Sequence, residues 1–388
     1  MRRVRFGVYP AVTMTTYQTS QYIQRELDNI ADFHSYQKLI KSEEFGKLLK
    51  DDLKSILKRN SDRKSWEKAN NFFEEHGQFI DPYFATKNPG KASELWLELL
   101  EIVTKADSKK YDSIHKGTAY YFAGIWSLFA EKYTEGLQWL EYAYEEDLRL
   151  NEPRRPPEEY PAAWLLTLDL RENKSEKGND FEKTRELVKL LDEIFNEINS
   201  EFKKSFRRMN LAKIAREKVL TSRKRALRSS WASLLASIWD FKRLQRFLAI
   251  SPQKTEAQFE VNNFLVNLTL VLETFIPRHN LPEESDGTLA ELYRYEIKEM
   301  YGFSYKNRNK VFLCQDFPNT YQGIGSKLKR IERQENKLKV AFTLSFRIRN
   351  QTHHMFNEEF ISLSLFKMVT IRVYYSIFSV LFHDSWQA

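Results

Sequence analysis

Glycine and proline are scarce in this chain, at 12 and 11 among 388 residues. Together they make up about 6%, roughly half the usual share. Sheet-rich folds need a turn every few residues, with glycine supplying positive φ and proline a fixed one. The shortage argues against such folds and points to an all-α chain. Cysteine occurs once, at Cys314, which excludes an internal disulfide framework and any cysteine-cluster zinc site and fits a reducing, cytoplasmic compartment. The first residues, MRRVRFGVYPAVTMTTY, lack an uninterrupted apolar core of secretory length, so no signal peptide is expected. The most apolar stretch, Phe360 to Phe382, is interrupted by Lys367 and Arg372. Charges there are costly in a bilayer, and the stretch reads as a buried helix rather than a membrane span. The glycines form no phosphate-cradling loop, the acidic residues show no metal-ligand spacing, and no cofactor is implied.

What is present suffices for a large core: hydrophobic residues are 42% and aromatics 14%, from 28 Phe, 19 Tyr and 8 Trp. Disorder is excluded for most of the length, and two domains are the natural expectation at this size. Apolar spacing follows a helical period through Tyr22, Ile23, Leu27 and Ile30, then through Leu39, Phe45, Leu48, Leu49, Leu53 and Ile56. Further helices are expected over Trp66 to His76, from Leu95 after an Asn88-Pro89-Gly90 turn, and through Leu187 to Ile198. The prolines of Asn151 to Pro161 mark a loop, and Arg171 to Asp180 is a polar gap. Residues 304 to 325 read as a turn-rich insertion. A helix from about Ser326 to Asn350, a short break and a last helix from about Glu358 to Phe382 complete the chain. A soft boundary near 205 separates residues 1–204 from 205–388. Only Arg3 to Tyr9 looks strand-like.

The formal charge of +8 is unevenly placed. Residues 201 to 230 hold a local +9, residues 322 to 349 hold +6, and the rest sums to −7. Two basic segments on a mildly acidic body are an electrostatic footprint for a polyanion, or simply solvated helix faces. Arg223, Lys224, Arg225 and Arg228 in the first, and Lys329, Arg330 and Arg333 in the second, are the candidate contacts to a polyanion's phosphates.

Two strings carry resemblances. In YYFAGIWSLFAEKYTEGLQWLEYAYEED, Gly124 stands where small residues let paired helices approach, with Tyr133, Gly136, Leu140 and Ala143 at matching later positions. The string resembles one tetratricopeptide unit, implying a helical-hairpin layer that binds a regulatory protein or a nucleotide ligand. The second string, Arg349-Asn350-Gln351-Thr352-His353-His354, lies between two apolar helices. Arginine, a polar residue, three spacers and histidine at such a junction resemble the HEPN ribonucleases, over roughly the last 130 to 180 residues of the chain.

That resemblance implies a four-helix bundle, a homodimer with a composite site, and metal-independent RNA cleavage leaving a cyclic phosphate and a 5′-hydroxyl. The residue types suit the chemistry: histidine exchanges protons near neutral pH, and arginine presents a planar fork to phosphate oxygens. His354 is assigned proton transfer, Arg349 the phosphate and transition-state charge, and Asn350 the orientation of either. His353 competes with His354, and Arg347 is an auxiliary phosphate contact or a surface residue. Asn357, followed by Glu358 and Glu359, is the expected N-cap of the last helix. Alternatively, Arg349 and His354 merely cap a helix end. The aromatic stripe Phe356, Phe360, Phe366, Tyr374, Tyr375, Phe378 and Phe382 reads as core or dimer interface in preference to a base-stacking platform. A catalytically silent helical scaffold is the rival from another class. A CRISPR-associated HEPN nuclease governed by a cyclic-oligoadenylate sensor is a third reading, disfavoured by the absence of alternating strands and helices.

Overall fold

A computed structural model describes residues 17–57, 72–77, 79–80, 87–106, 115–150, 160–168, 179–251, 255–283, 285, 287–303, 321–351 and 361–386. Every regular element among them is helical, and the fold is all-α. The strand-like string Arg3 to Tyr9 and the proline-rich loop 151–159 lie outside the described residues. The chain divides into two compact units, Met1–Arg185 and Glu186–Ala388. The division falls inside a helix, ahead of the boundary near 205 that composition suggests.

The first unit opens with α1 (Gln18–Arg25), α2 (Phe33–Ile40) and α3 (Glu43–Leu57). Tyr17, at the N-cap of α1, offers no capping side chain, so the orphan amides are met from elsewhere. The Asp52 carboxylate on α3 accepts from Gln18 N and Thr19 N at 2.9 Å each and from Thr19 Oγ1 at 2.7 Å. Glu75 accepts from Tyr17 N and Ser20 Oγ. Beside it His76 is fully buried, its Nδ1 2.7 Å from the Phe72 carbonyl.

Next come α4 (Pro89–Ala106), α5 (Gly117–Phe129), α6 (Tyr133–Leu150) and α7 (Pro161–Leu166). Asn88-Pro89-Gly90 is a helix start rather than a separate turn. Pro89 opens α4, where its missing N–H is no loss, and Asn88 Oδ1 accepts from Lys91 N at 3.1 Å. The α5–α6 hairpin is close because two glycines face each other. A Cβ on Gly124 would sit 2.8 Å from the Gly136 carbonyl oxygen, and one on Gly136 would sit 2.8 Å from Leu128 Cδ2. His115, isolated in sequence, is buried with Nε2 2.8 Å from Asp147 Oδ1, and so joins the start of α5 to α6.

Helix α8 (Asn179–Phe202) leads into the second unit, followed by α9 (Arg208–Ile214), which runs into a π turn at Ala215–Val219. The long helices α10 (Arg225–Ile250) and α11 (Thr255–Phe275) come next. Short α12 (Leu289–Leu292), a π turn (Tyr293–Ile297) and α13 (Lys298–Tyr301) follow, then α14 (Tyr321–Gln334), α15 (Lys337–Gln351) and α16 (Leu363–Leu381). α10 packs on α11 and α16, and α15 packs on the same two helices.

Three boundaries differ from the sequence expectation. Gly323 and Gly325 lie inside α14 rather than in a turn. The helix expected over Ser326 to Asn350 is two helices, because Asn336 ends the run: its Oδ1 accepts from Leu338 N and Lys339 N and caps α15. The last helix begins at Leu363 with Ser362, not Asn357, as its N-cap, the Ser362 hydroxyl accepting from Leu365 N at 3.3 Å. The last helix therefore begins nine positions after His354 in the sequence, not just behind it.

α16 is long and apolar enough to cross a membrane by length and composition, yet 78% of it is buried inside the protein. Arg372 at its middle is 1% exposed and forked between Glu332 on α14 and Glu201 on α8, with Nε 2.7 Å from Glu332 Oε1 and Nη2 2.5 Å from Glu201 Oε1. Phe366, Tyr374 and Phe378 are core residues of this unit.

Candidate functional site

Arg349 sits in the last turn of α15, where a cation suits the helix dipole. Its neighbours Ile348 and Ser345 are buried, so Arg349 lies at the margin of the core with 27% of its side chain exposed. Across from it, Glu273 near the end of α11 places Oε2 3.6 Å from Arg349 Nε. That separation is an ion pair rather than a hydrogen bond. Asn350 is exposed and Arg347 half-buried on the same helix end. His353 and His354 lie outside the described residues, as do Asn357, Glu358 and Glu359.

Sequence reasoning missed Glu273. The signal was available: in Thr255–Phe275 the charged residues are Glu256 and Glu260 near one end and Glu273 alone near the other. A lone acid on a largely buried helix needs a partner.

The cations predicted to meet RNA occupy two places in the second unit. Arg223, Lys224 and Arg225 are exposed at the start of α10, and Arg228 donates through Nη1 to the Ser222 carbonyl. Lys224 is the N-cap, makes no side-chain cap, and no acid stands in the first turn. A stable helix prefers acids there, so this cluster opposes the dipole. Lys329, Arg330 and Arg333 line the solvent side of α14, whose opposite side buries Ile324, Leu328 and Ile331. These three precede the start of α15, whereas Arg349 is at its far end. Twelve residues of helical rise between Lys337 and Arg349 amount to about 18 Å.

Among the described residues no group of three or more His, Cys, Asp or Glu side chains is placed to hold a metal ion. His279 is exposed on the turn after α11. The chain matches no known protein family, no curated protein and no solved structure.

Proposed function

We propose that this protein is a metal-independent RNA endonuclease of HEPN type that works as a homodimer in the cytoplasm. Arg349 carries the reading: an arginine at the end of a bundle helix, half-exposed and held at the core margin by Glu273, with a histidine five positions later in the chain. The 2′-oxygen attacks the adjacent phosphorus as its proton leaves to a base. The bond from phosphorus to the 5′-oxygen breaks as that oxygen takes a proton, leaving a cyclic phosphate and a 5′-hydroxyl. His354 moves protons, with His353 as its competitor, Arg349 balances charge on the phosphate, and Asn350 orients the group beside it. Arg347, the cluster Arg223 to Arg228 and the α14 cations supply backbone attraction.

The helical hairpins of the first unit are assigned a tetratricopeptide-like sensing role toward a regulatory protein or nucleotide ligand. A role in defence or as a toxin follows the family analogy alone. A CRISPR-associated version governed by cyclic oligoadenylate has the weaker support, since the described part of the first unit has no strands. One observation favours the silent-scaffold reading: the Glu273 pair by itself gives Arg349 a structural reason to be there.

Cleavage of an end-labelled RNA in excess EDTA separates these readings. Wild type is expected to cut and leave cyclic-phosphate ends, while Arg349→Ala and His354→Ala, folded by circular dichroism, do not. Equal cutting by both variants rejects the nuclease assignment.

A further inference from the structure

The two basic segments, which begin at residues 201 and 322, meet through the buried Arg372. Its guanidinium holds Glu201, at the end of α8, and Glu332, near the end of α14. Beside this junction lies a cleft of about 400 Å³, within the size range of small-ligand sites. α8 stops at Phe202 because Lys203 turns left-handed, with φ 53°. Asn199 then clasps Phe206, its side chain making both backbone hydrogen bonds at 2.9 Å, so the 203–206 turn is fixed. That turn carries Lys204 over the ring of Tyr375, 6.0 Å from its centroid. From the other side Lys337, at the start of α15, donates to the Glu201 carbonyl at 2.8 Å. Both lysines are exposed and both border the cleft.

The cleft wall is aromatic. Phe202 and Tyr375 stack at 4.2 Å, and Tyr301 and Phe303 stack at 5.5 Å. Gly302, with φ 63°, makes the left-handed turn that folds Phe303 back on Tyr301. From this rim a basic surface continues along α14 through Arg333, Arg330 and Lys329. These three and Lys203 are exposed and make no ion pair with a described residue. A positive rim beside aromatic rings is the chemistry that takes an unpaired base together with its phosphate.

We infer that this cleft binds one nucleotide unit of a single-stranded nucleic acid, with Lys204 and Lys337 on the phosphate and Tyr301 and its neighbours against the base. It lies at the opposite end of α15 from Arg349 and does not depend on the cleavage reading.

The test uses the full chain and a fluorescent 2′-O-methyl dodecanucleotide, which cannot form a cyclic phosphate, with binding read by anisotropy across a salt series. Lys204→Ala with Lys337→Ala is expected to weaken binding at least ~10-fold and to flatten the log-affinity against log-salt slope by roughly 1.4, two contacts at about 0.7 each. Lys204→Arg with Lys337→Arg should bind as wild type does. In an Arg349→Ala background the two alanine substitutions should lower affinity by the same factor, which supports the cleft even where cleavage fails. Displacement of the strand by adenosine monophosphate assigns the cleft to free nucleotides, and lack of displacement assigns it to strands. Unchanged affinity and slope in the double alanine variant overturns the inference, as does a duplex of the same sequence binding equally well.

Discussion

Glu273→Gln gives the sharpest account of what Arg349 is for. The carboxylate stands 3.6 Å from Arg349 Nε. At that distance two unit charges attract by about 1 kcal/mol in bulk water and by roughly 4 to 5 kcal/mol at an effective dielectric near 20. The side chains are 27% and 21% exposed, so the pair is partly solvated, and measured pairs of that kind fall at about 0 to 1 kcal/mol. A phosphate approaching Arg349 must compete with Glu273 for the guanidinium, so neutralising the acid should raise phosphate affinity by up to about five-fold, the equivalent of ~1 kcal/mol. Equilibrium binding of a non-cleavable RNA strand measures this directly. Glu273→Gln should bind more tightly than wild type and with a steeper salt dependence. Arg349→Ala should bind more weakly, and adding Glu273→Gln to Arg349→Ala should change nothing further. Tighter binding that persists without Arg349 would show general charge removal rather than a freed arginine. Weaker binding in Glu273→Gln alone refutes the competition and makes Glu273 a positioning residue.

Three further outcomes rest on packing and protonation. Arg372→Met leaves Glu332 buried without its cation and should cost about 3 to 5 kcal/mol in urea unfolding, much of it recovered when Glu332→Leu is added; equal loss in both variants contradicts the ion-pair account. Gly124→Ala drives a Cβ to 2.8 Å from the Gly136 carbonyl oxygen. The overpacking cost of about 1 to 3 kcal/mol outweighs the ~1 kcal/mol helix-propensity gain, so the melting temperature should fall; a rise means the helices separate freely. Burial pushes the His76 imidazole below its ordinary value, 6.5. The unfolded chain therefore binds the extra proton first, and stability present above about pH 6.5 declines as pH falls toward the folded-state value. His76→Gln should lessen the acid-side loss between pH 7.5 and 5.5 in urea midpoints, and an unchanged slope removes His76 as a cause.

Helical class, the glycine-mediated approach of Gly124 and Gly136, and the burial of Leu363–Leu381 were legible because each depends on residues close in sequence. Spacing puts Leu187, Leu191 and Ile198 on one face whatever they pack against. Boundaries were less legible where a polar side chain decides them. Asn336 reads as an ordinary helix-surface residue until its amide oxygen is seen to take two backbone N–H groups. The Glu273–Arg349, Glu201–Arg372–Glu332 and His115–Asp147 pairings were illegible for another reason. Each joins elements 32 to 171 positions apart, and periodicity places a charge on a face without naming the partner across the gap.

The aromatic residues show why core and site are hard to separate by pattern. Phe366, Tyr374 and Phe378 are fully buried, as a helical stripe of large rings predicts. Tyr375 belongs to the same stripe and is 3% exposed, yet one side of it borders the cleft. Burial pushes its hydroxyl up to about 12. Phe202, which stacks on it, enters from α8, and Tyr301 and Phe303 enter from the end of α13. A ring at a core margin stabilises the fold with one face and leaves its edge for a ligand, so a core assignment and a binding assignment are not exclusive. What distinguishes the cleft is charge: Lys204 and Lys337 stand at its rim, placed by the αL turn at Lys203 and the Asn336 cap. Those two backbone stops, neither of which follows from hydrophobic spacing, bring the separate basic segments to one aromatic surface.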